Sequence, residues 1–235
     1  MTLEKNRSIQ IKNQYCGPPT SANGGICCGF LAKGLSGDVE VTLKMPPPLD
    51  TDLEIISNRD GASIYWNDQE VATAKQTTLE LEVPVKATLQ QALTASGRFV
   101  PIEKHIFPNC FVCGPQRKEG DGLRIFAGPV DFHSHVAAPW IPDSTLGDSE
   151  GNVASEFIWA ALDCPGYFGL KQKGMKALLG RMTASIIKAP PIMRKTVVVA
   201  WKIESDGRKH SAGTALFDSD GELYAKAKQV WIEID

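Results

Sequence analysis

Asp163 stands alone as an acid in the run FIWAALDCPGYFGL, residues 157–170. A carboxylate in so apolar a stretch is expected to be buried; burial disfavours its anion and suits it to general-base work. Its position just before Pro165-Gly166 predicts a place late in a helix, where the negative end of the helix dipole acts in the same direction. A capping or solvent-facing Asp at that break is the plainer alternative. A second stretch, SANGGICCGFLAKGL at 21–35, sets Gly24 and Gly25 in the first turn of an apolar helix. Glycine weakens a helix by about 1 kcal/mol relative to alanine, so the pair needs a reason. Either Asn23 is an N-cap and the glycines admit another backbone, or their N–H groups face a ligand oxygen.

Other residues carry weaker signals. Gln229 sits mid-strand in AKAKQVWIEI, and Gln76 occupies the equivalent place in ATAKQTTLELE, which suits a shared structural hydrogen bond. Arg208, with Lys209 and His210, follows a turn in ESDGRKHSAG, where a solvated charge cluster is the ordinary explanation. Cys110 and Cys113 form a C-x-x-C near His105. A structural zinc site needs four ligands and neither a second C-x-x-C nor H-x-x-x-H completes this one, while a redox C-x-x-C should open a helix in a βαβ unit. A packed loop with two buried thiols is the expectation. His133 and His135 share a strand face but lack an acid or third His, so no metal and no cofactor is expected.

These residues need elements to hold them. After the first helix, strand-like runs VEVTLKM, DLEIISN, ASIYWN and VATAKQTTLELEV follow, separated by PPPLD, NRDG and NDQ. The pattern returns from Val153: a helical run to Leu170, then strands near MTASIIK, KTVVVAWKIE, HSAGTALFD and ELYAKAKQVWIEI. Lys44-Met-Pro-Pro-Pro-Leu49 answers Lys188-Ala-Pro-Pro-Ile-Met193, so internal duplication is the natural explanation. Between the patterned halves, ATLQQALTASGRFV predicts a helical linker, and GLRIFAGPV with HSHVAAPW supplies opening strands for the second half. The boundaries are 1–83 for the first repeat, 84–120 for the linker and 121–235 for the second.

Across 235 residues, 43% hydrophobic content and 22% charge allow a real core, and a net charge of −2 without a basic run offers nothing for a nucleic-acid backbone. The chain has neither a signal-peptide core at its N-terminus nor about 18 continuous apolar residues, so a cytoplasmic protein without membrane partners is expected. Six cysteines, two adjacent at Cys27 and Cys28, suit buried free thiols in a reducing compartment. The chain carries no G-x-G-x-x-G, P-loop or G-x-S-x-G.

A helix followed by long antiparallel strands, twice over, suits an α+β architecture in which a sheet wraps a helix. Three stretches resemble the double hotdog thioesterases, most of all the acyl-CoA thioesterase II type: NGGICCGFLAKGL, WAALDCPG and DGELYAKAKQVWIEI. NCFVCGPQRKEGDGLRIF resembles the opening of many single-hotdog thioesterases. The resemblance implies a double hotdog and a thioester hydrolase, with an acyl-CoA or related small thioester as partner. A hydratase of that fold would want a His at the place of Phe168. The family's spacing assigns the first half's acid to Ala32 and the second half's glycines to 154–156, Ala-Ser-Glu. Each half therefore lacks what the other keeps, which implies one composite site. In it Gly25 polarises the thioester carbonyl, Asp163 acts as base or nucleophile, and Gln229 orients water. Thr183 falls near the family's Thr or Ser, Asn23 and Gly24 contact substrate, and Arg208 meets the CoA phosphates. Ile26 follows the glycines where the family has Gln, which keeps a non-catalytic acyl-CoA or lipid binder as the alternative. A homo-oligomer is compatible with either.

Overall fold

The structure, a computed structural model, describes residues 5–170 and 174–234. Eleven strands make one antiparallel sheet: β1 (Lys5–Ile9), β2 (Asp38–Leu43), β3 (Leu53–Ser57), β4 (Gly61–Trp66), β5 (Gln69–Thr77), β6 (Gly128–Pro129), β7 (His135–Trp140), β8 (Ala177–Ile186), β9 (Thr196–Asp206), β10 (Lys209–Asp218) and β11 (Leu223–Glu233). Their order is β1-β3-β4-β5-β2-β8-β11-β10-β9-β7-β6. The β2–β8 ladder, with Val41 opposite Met182, joins strands from early and late in the chain. Outwards from that ladder run β5, β4, β3 and β1 on one side and β11, β10, β9, β7 and β6 on the other.

Two helices pack against each other and against one face of this sheet: α1 (Gly24–Ala32) and α3 (Ser155–Gly169). Their contact is close because α1 offers glycines to it. A Cβ on Gly29 would overlap Glu156 Cα, and one on Gly25 would lie 2.8 Å from Trp159 O and 2.9 Å from Ala160 Cα. The short helix α2 (Leu89–Ser96) opens with a reciprocal Thr88–Gln91 capping box and covers the opposite sheet face over β6 and β7. That double cover explains the continuous apolar run TVVVAW in β9, which a one-faced strand would not need. Val198 and Ala200 join the core around α1 and α3, whereas Val197, Val199 and Trp201 pack with Ala92 and Ala95 of α2.

One expectation needs correction, and one strand was not foreseen. The helix bearing Asp163 does not stop at Pro165 but continues to Gly169, so Asp163 is an interior residue and no C-terminal dipole acts on it. The first strand, KNRSI, had no apolar alternation to announce it, and β3 fixes it through an edge ladder that pairs Arg7 with Ile55. Among the described residues no helix is long and apolar enough to cross a membrane.

Candidate functional site

The N-terminus of α1 meets the middle of α3 at one carboxylate. Asn23 is the N-cap, its side-chain oxygen accepting from Ile26 N–H at 3.0 Å. The other end of the same amide donates to Asp163 Oδ2 at 2.7 Å, and Gly25 N–H donates to that oxygen at 2.9 Å. One capping residue thus satisfies two buried groups, and an orphan donor of the helix start finds an anion. The question raised by the glycine pair is answered at Gly25 on both counts: α3 approaches too closely for a side chain, with Asp163 Cβ 2.6 Å from where one would begin, and the N–H is used. It is used by the chain's own carboxylate, so Gly25 is not an open donor for a ligand carbonyl. Gly24 is the glycine on the cavity wall.

Burial pushes the Asp163 carboxyl up to about 7, against the hydrogen bond from Gly25 and with a smaller upward push from Cys110. Its Oδ1 is buried without a hydrogen-bond partner among the described residues.

Gln229 is fully buried and faces α3, and it does not line the cavity. Its amide nitrogen donates to Leu162 O and, at 3.1 Å, to Asp163 O, while its amide oxygen accepts from Trp231 Nε1 at 2.8 Å. Pro165 removes one N–H from this turn of helix, and Gly166 lets the strand approach: a Cβ there would overlap Gln229 Oε1. Gln229 therefore holds the backbone that carries Asp163 and orders Trp231. Gln76, its counterpart in sequence, is exposed and donates to Ser36 instead, so the two do not share a role.

A cavity of about 260 Å³, mostly apolar, opens beside Asp163. Asn23, Gly24 and Leu43 reach it from the first half of the chain; Leu179, Trp231 and Asp163 reach it from the second. His105 also lines it, its ring tilted against those of Phe99 and Phe168, with centroids 5.7 Å from each. Burial holds His105 below the usual histidine range and thus neutral; its Nδ1 accepts from Phe107 N–H at 3.1 Å, which leaves the proton on Nε2. That Nε2 is the second buried polar atom of the cavity lining with no partner among the described residues.

Cys110, Cys113 and Cys164 line the same cavity. Cys164 follows Asp163 and its sulfur lies 3.6 Å from that of Cys110. Hydrogen bonds from the Cys113 and Cys164 thiols hold Cys110 well below the ordinary thiol range, while burial raises Cys113. Spacing alone could not have brought in Cys164, whose approach depends on how α3 lies against the loop at 109–114. Ser21, another lining residue, had no sequence signal at all. All six cysteines are free and buried.

Two expected site residues lie elsewhere. Thr183 pairs with Glu40 and Lys228 on the sheet face opposite the buried Met182, and the stretch of β8 that lines the cavity is 177–180. Arg208 is exposed in the β9–β10 turn, its Nε and Nη2 donating to Glu233 O at 3.1 and 2.7 Å, close in sequence to no lining residue but adjacent in space to the strand end carrying Ile232 and Ile234.

Neither a family model nor a curated protein matches the sequence. Solved structures do match over nearly the whole chain. A putative thioesterase from Novosphingobium aromaticivorans is 12% identical, with 98% of this chain and 96% of that chain covered at a TM-score of 0.68. A putative thioesterase II from Thermobifida fusca is 14% identical, with 98% and 92% covered at 0.62. A hot dog fold protein of unknown function from Alicyclobacillus acidocaldarius is also 14% identical, with 98% and 94% covered at 0.62. At these identities the similarity establishes the fold, which is that of the hotdog proteins.

Proposed function

We propose that this chain hydrolyses a small thioester of the acyl-CoA class at one site assembled from two hotdog repeats, 1–83 and 121–235. One observation carries the reading. Two residues lining one apolar cavity each bury a polar atom that has no partner among the described residues, the acceptor Asp163 Oδ1 and the donor His105 Nε2. Unpaired buried polar atoms are costly, and a pair of opposite kind in one cavity suits a polar ligand end held between apolar walls. The strand order, which runs outwards from β2–β8 through matching hairpins, supports the two-repeat reading.

In this mechanism water attacks the thioester carbon while Asp163 Oδ1 takes its proton. The carbonyl oxygen becomes an oxyanion, for which His105 Nε2–H and the first-turn N–H of Gly24 are the available donors, and such donors act most strongly in a dry site. The C–S bond then breaks, the acyl group leaves as a carboxylic acid, and the proton passes to the departing thiolate. Attack by Asp163 itself, through an anhydride, uses the same geometry. Asn23 and Gly25 orient the carboxylate by their bonds to Oδ2, and Gln229 positions its backbone. Arg208, at the strand end beside the cavity, is the candidate contact for CoA phosphates. Six free thiols suit a cytoplasmic setting.

The alternative is a non-catalytic acyl-CoA or lipid binder, favoured by the engagement of Gly25 N–H with Asp163 and by Gln229 facing the helix rather than the cavity. Thiol release measured over short, medium, long-chain and aromatic acyl-CoAs separates the two. Turnover on at least one is expected of the hydrolase. Binding without turnover on any would establish the alternative.

A further inference from the structure

The three cavity cysteines form a cluster that thioester hydrolysis does not use. Their sulfurs all lie within 4.8 Å of one another, with Cys110 and Cys164 3.6 Å apart. Three thiolates at about 2.3 Å from a tetrahedral Zn²⁺ stand roughly 3.8 Å from each other, so no pair in the cluster needs to close by more than about 1 Å to hold an ion.

The surroundings are arranged for thiolates. The loop carrying Cys110 and Cys113 folds back on itself, which brings both sulfurs to that of Cys164. The turn is held by Gly114 N–H donating to Cys110 O at 2.8 Å, and only glycine fits there, since a Cβ would lie 2.6 Å from Cys110 N and 2.7 Å from Pro108 O. Asn23 Nδ2 lies 3.6 Å from the Cys164 sulfur. Hydrogen bonds of this kind orient and stabilise metal-bound sulfur. All three cysteines line the cavity, so a fourth ligand has a route in.

We propose that Cys110, Cys113 and Cys164 bind one Zn²⁺ through three thiolates, with the fourth position open to a water or ligand atom from the cavity. The three thiol protons pass to solvent on binding. Closed structural sites supply four protein ligands, and three with an open position is the arrangement of zinc sites that take an exogenous ligand. This inference stands independently of the hydrolase reading, because metal binding is measured without any thioester.

The test is titration of the full, phosphine-reduced chain with Co²⁺, followed by displacement with Zn²⁺. One equivalent of Co²⁺ should produce tetrahedral d–d bands together with near-ultraviolet thiolate-to-cobalt charge transfer of the intensity of three thiolates, and Zn²⁺ should erase both. Cys110→Ser, Cys113→Ser and Cys164→Ser should each weaken Zn²⁺ binding by at least about 100-fold, the upper end of what outer-shell changes cost. Cys27→Ala, in α1 and outside the cluster, should leave it unchanged. If a serine variant fails to fold, the wild-type charge-transfer intensity still decides. Absence of a one-to-one thiolate spectrum, an intensity of two thiolates, or undiminished binding in Cys164→Ser would overturn the proposal.

Discussion

Alanine substitution at the two adjacent glycines should have unequal consequences, because they face different neighbours. At Gly25 the new methyl would start 2.6 Å from Asp163 Cβ, 2.8 Å from Trp159 O and 2.9 Å from Ala160 Cα. Two of these are backbone atoms of α3 and cannot rotate away. Restoring ordinary contact, 3.4 Å or more, requires α1 and α3 to part by about 0.8 Å. A gap of that order forfeits roughly a quarter to a half of the dispersion attraction across the contact, and overpacking in cores costs about 1–3 kcal/mol. The gain in helix propensity, about 0.5–1 kcal/mol, offsets only part of this. For a chain of this length 1 kcal/mol moves Tm by about 2–4 °C, so Gly25→Ala should lower it by roughly 3–10 °C. At Gly24 the methyl meets the ends of Leu179 and Leu43, at 2.9 and 3.2 Å, which can repack, and Leu179 Cβ at 3.1 Å, which has to give by only about 0.3 Å. Gly24→Ala should stay within about 2 °C of wild type while weakening ligand binding, since it fills cavity space. Thermal unfolding followed by circular dichroism reads both. A neutral Gly25→Ala, or a Gly24→Ala that is the more destabilising, would refute the helix-contact account.

Substitutions at three further positions test the supports of Asp163. Gly166→Ala should displace the Gln229 amide and cost about 1–3 kcal/mol in denaturant unfolding, and Gln229→Ala should cost a similar amount. The double variant should be less destabilised than the two single losses combined, and strict additivity would show that the residues do not act together. Asn23→Ala should lose about 2–4 kcal/mol, the cap and the bond to a buried carboxylate together, and Asn23→Asp should not restore it even though Asp caps as well as Asn, because it sets a second acid against Asp163. Arg208→Ala should raise KM for CoA thioesters at unchanged kcat, with an effect that shrinks as salt is added; a salt-independent change would remove Arg208 from phosphate binding.

Most of the architecture was legible because it rests on periodicity. The strands from β2 to β4 and from β8 to β11 follow their apolar runs closely, β5 ends at Thr77, short of the run that reaches Val83, and the capping role of Asn23 followed from the apolar helix behind it. Asp163 was legible as a buried acid because nothing polar accompanies it. What the sequence could not settle was the direction of individual side chains across packed layers. Alternation with Lys226 and Lys228 puts Gln229 on the buried face, but whether that face meets a cavity or a helix depends on Gly166, in another element. Thr183 lies away from the cavity for the related reason that one step of register along β8 moves a side chain to the other face of the sheet. Cys164 joined Cys110 and Cys113 only through tertiary packing, and β1 is an edge strand whose pairing with β3 leaves little pattern in KNRSI.

The central claim is that Asp163 acts chemically on a thioester held in the cavity beside it. Asp163→Asn keeps the shape of the side chain and an oxygen for Gly25 N–H and Asn23, while removing the base. Measured on the best acyl-CoA of the panel, with binding to a non-hydrolysable thioether analogue followed in parallel, it should reduce kcat by at least about 100-fold, the lower bound for a positioned general base, at an analogue Kd close to wild type. Turnover that survives in Asp163→Asn would contradict the account.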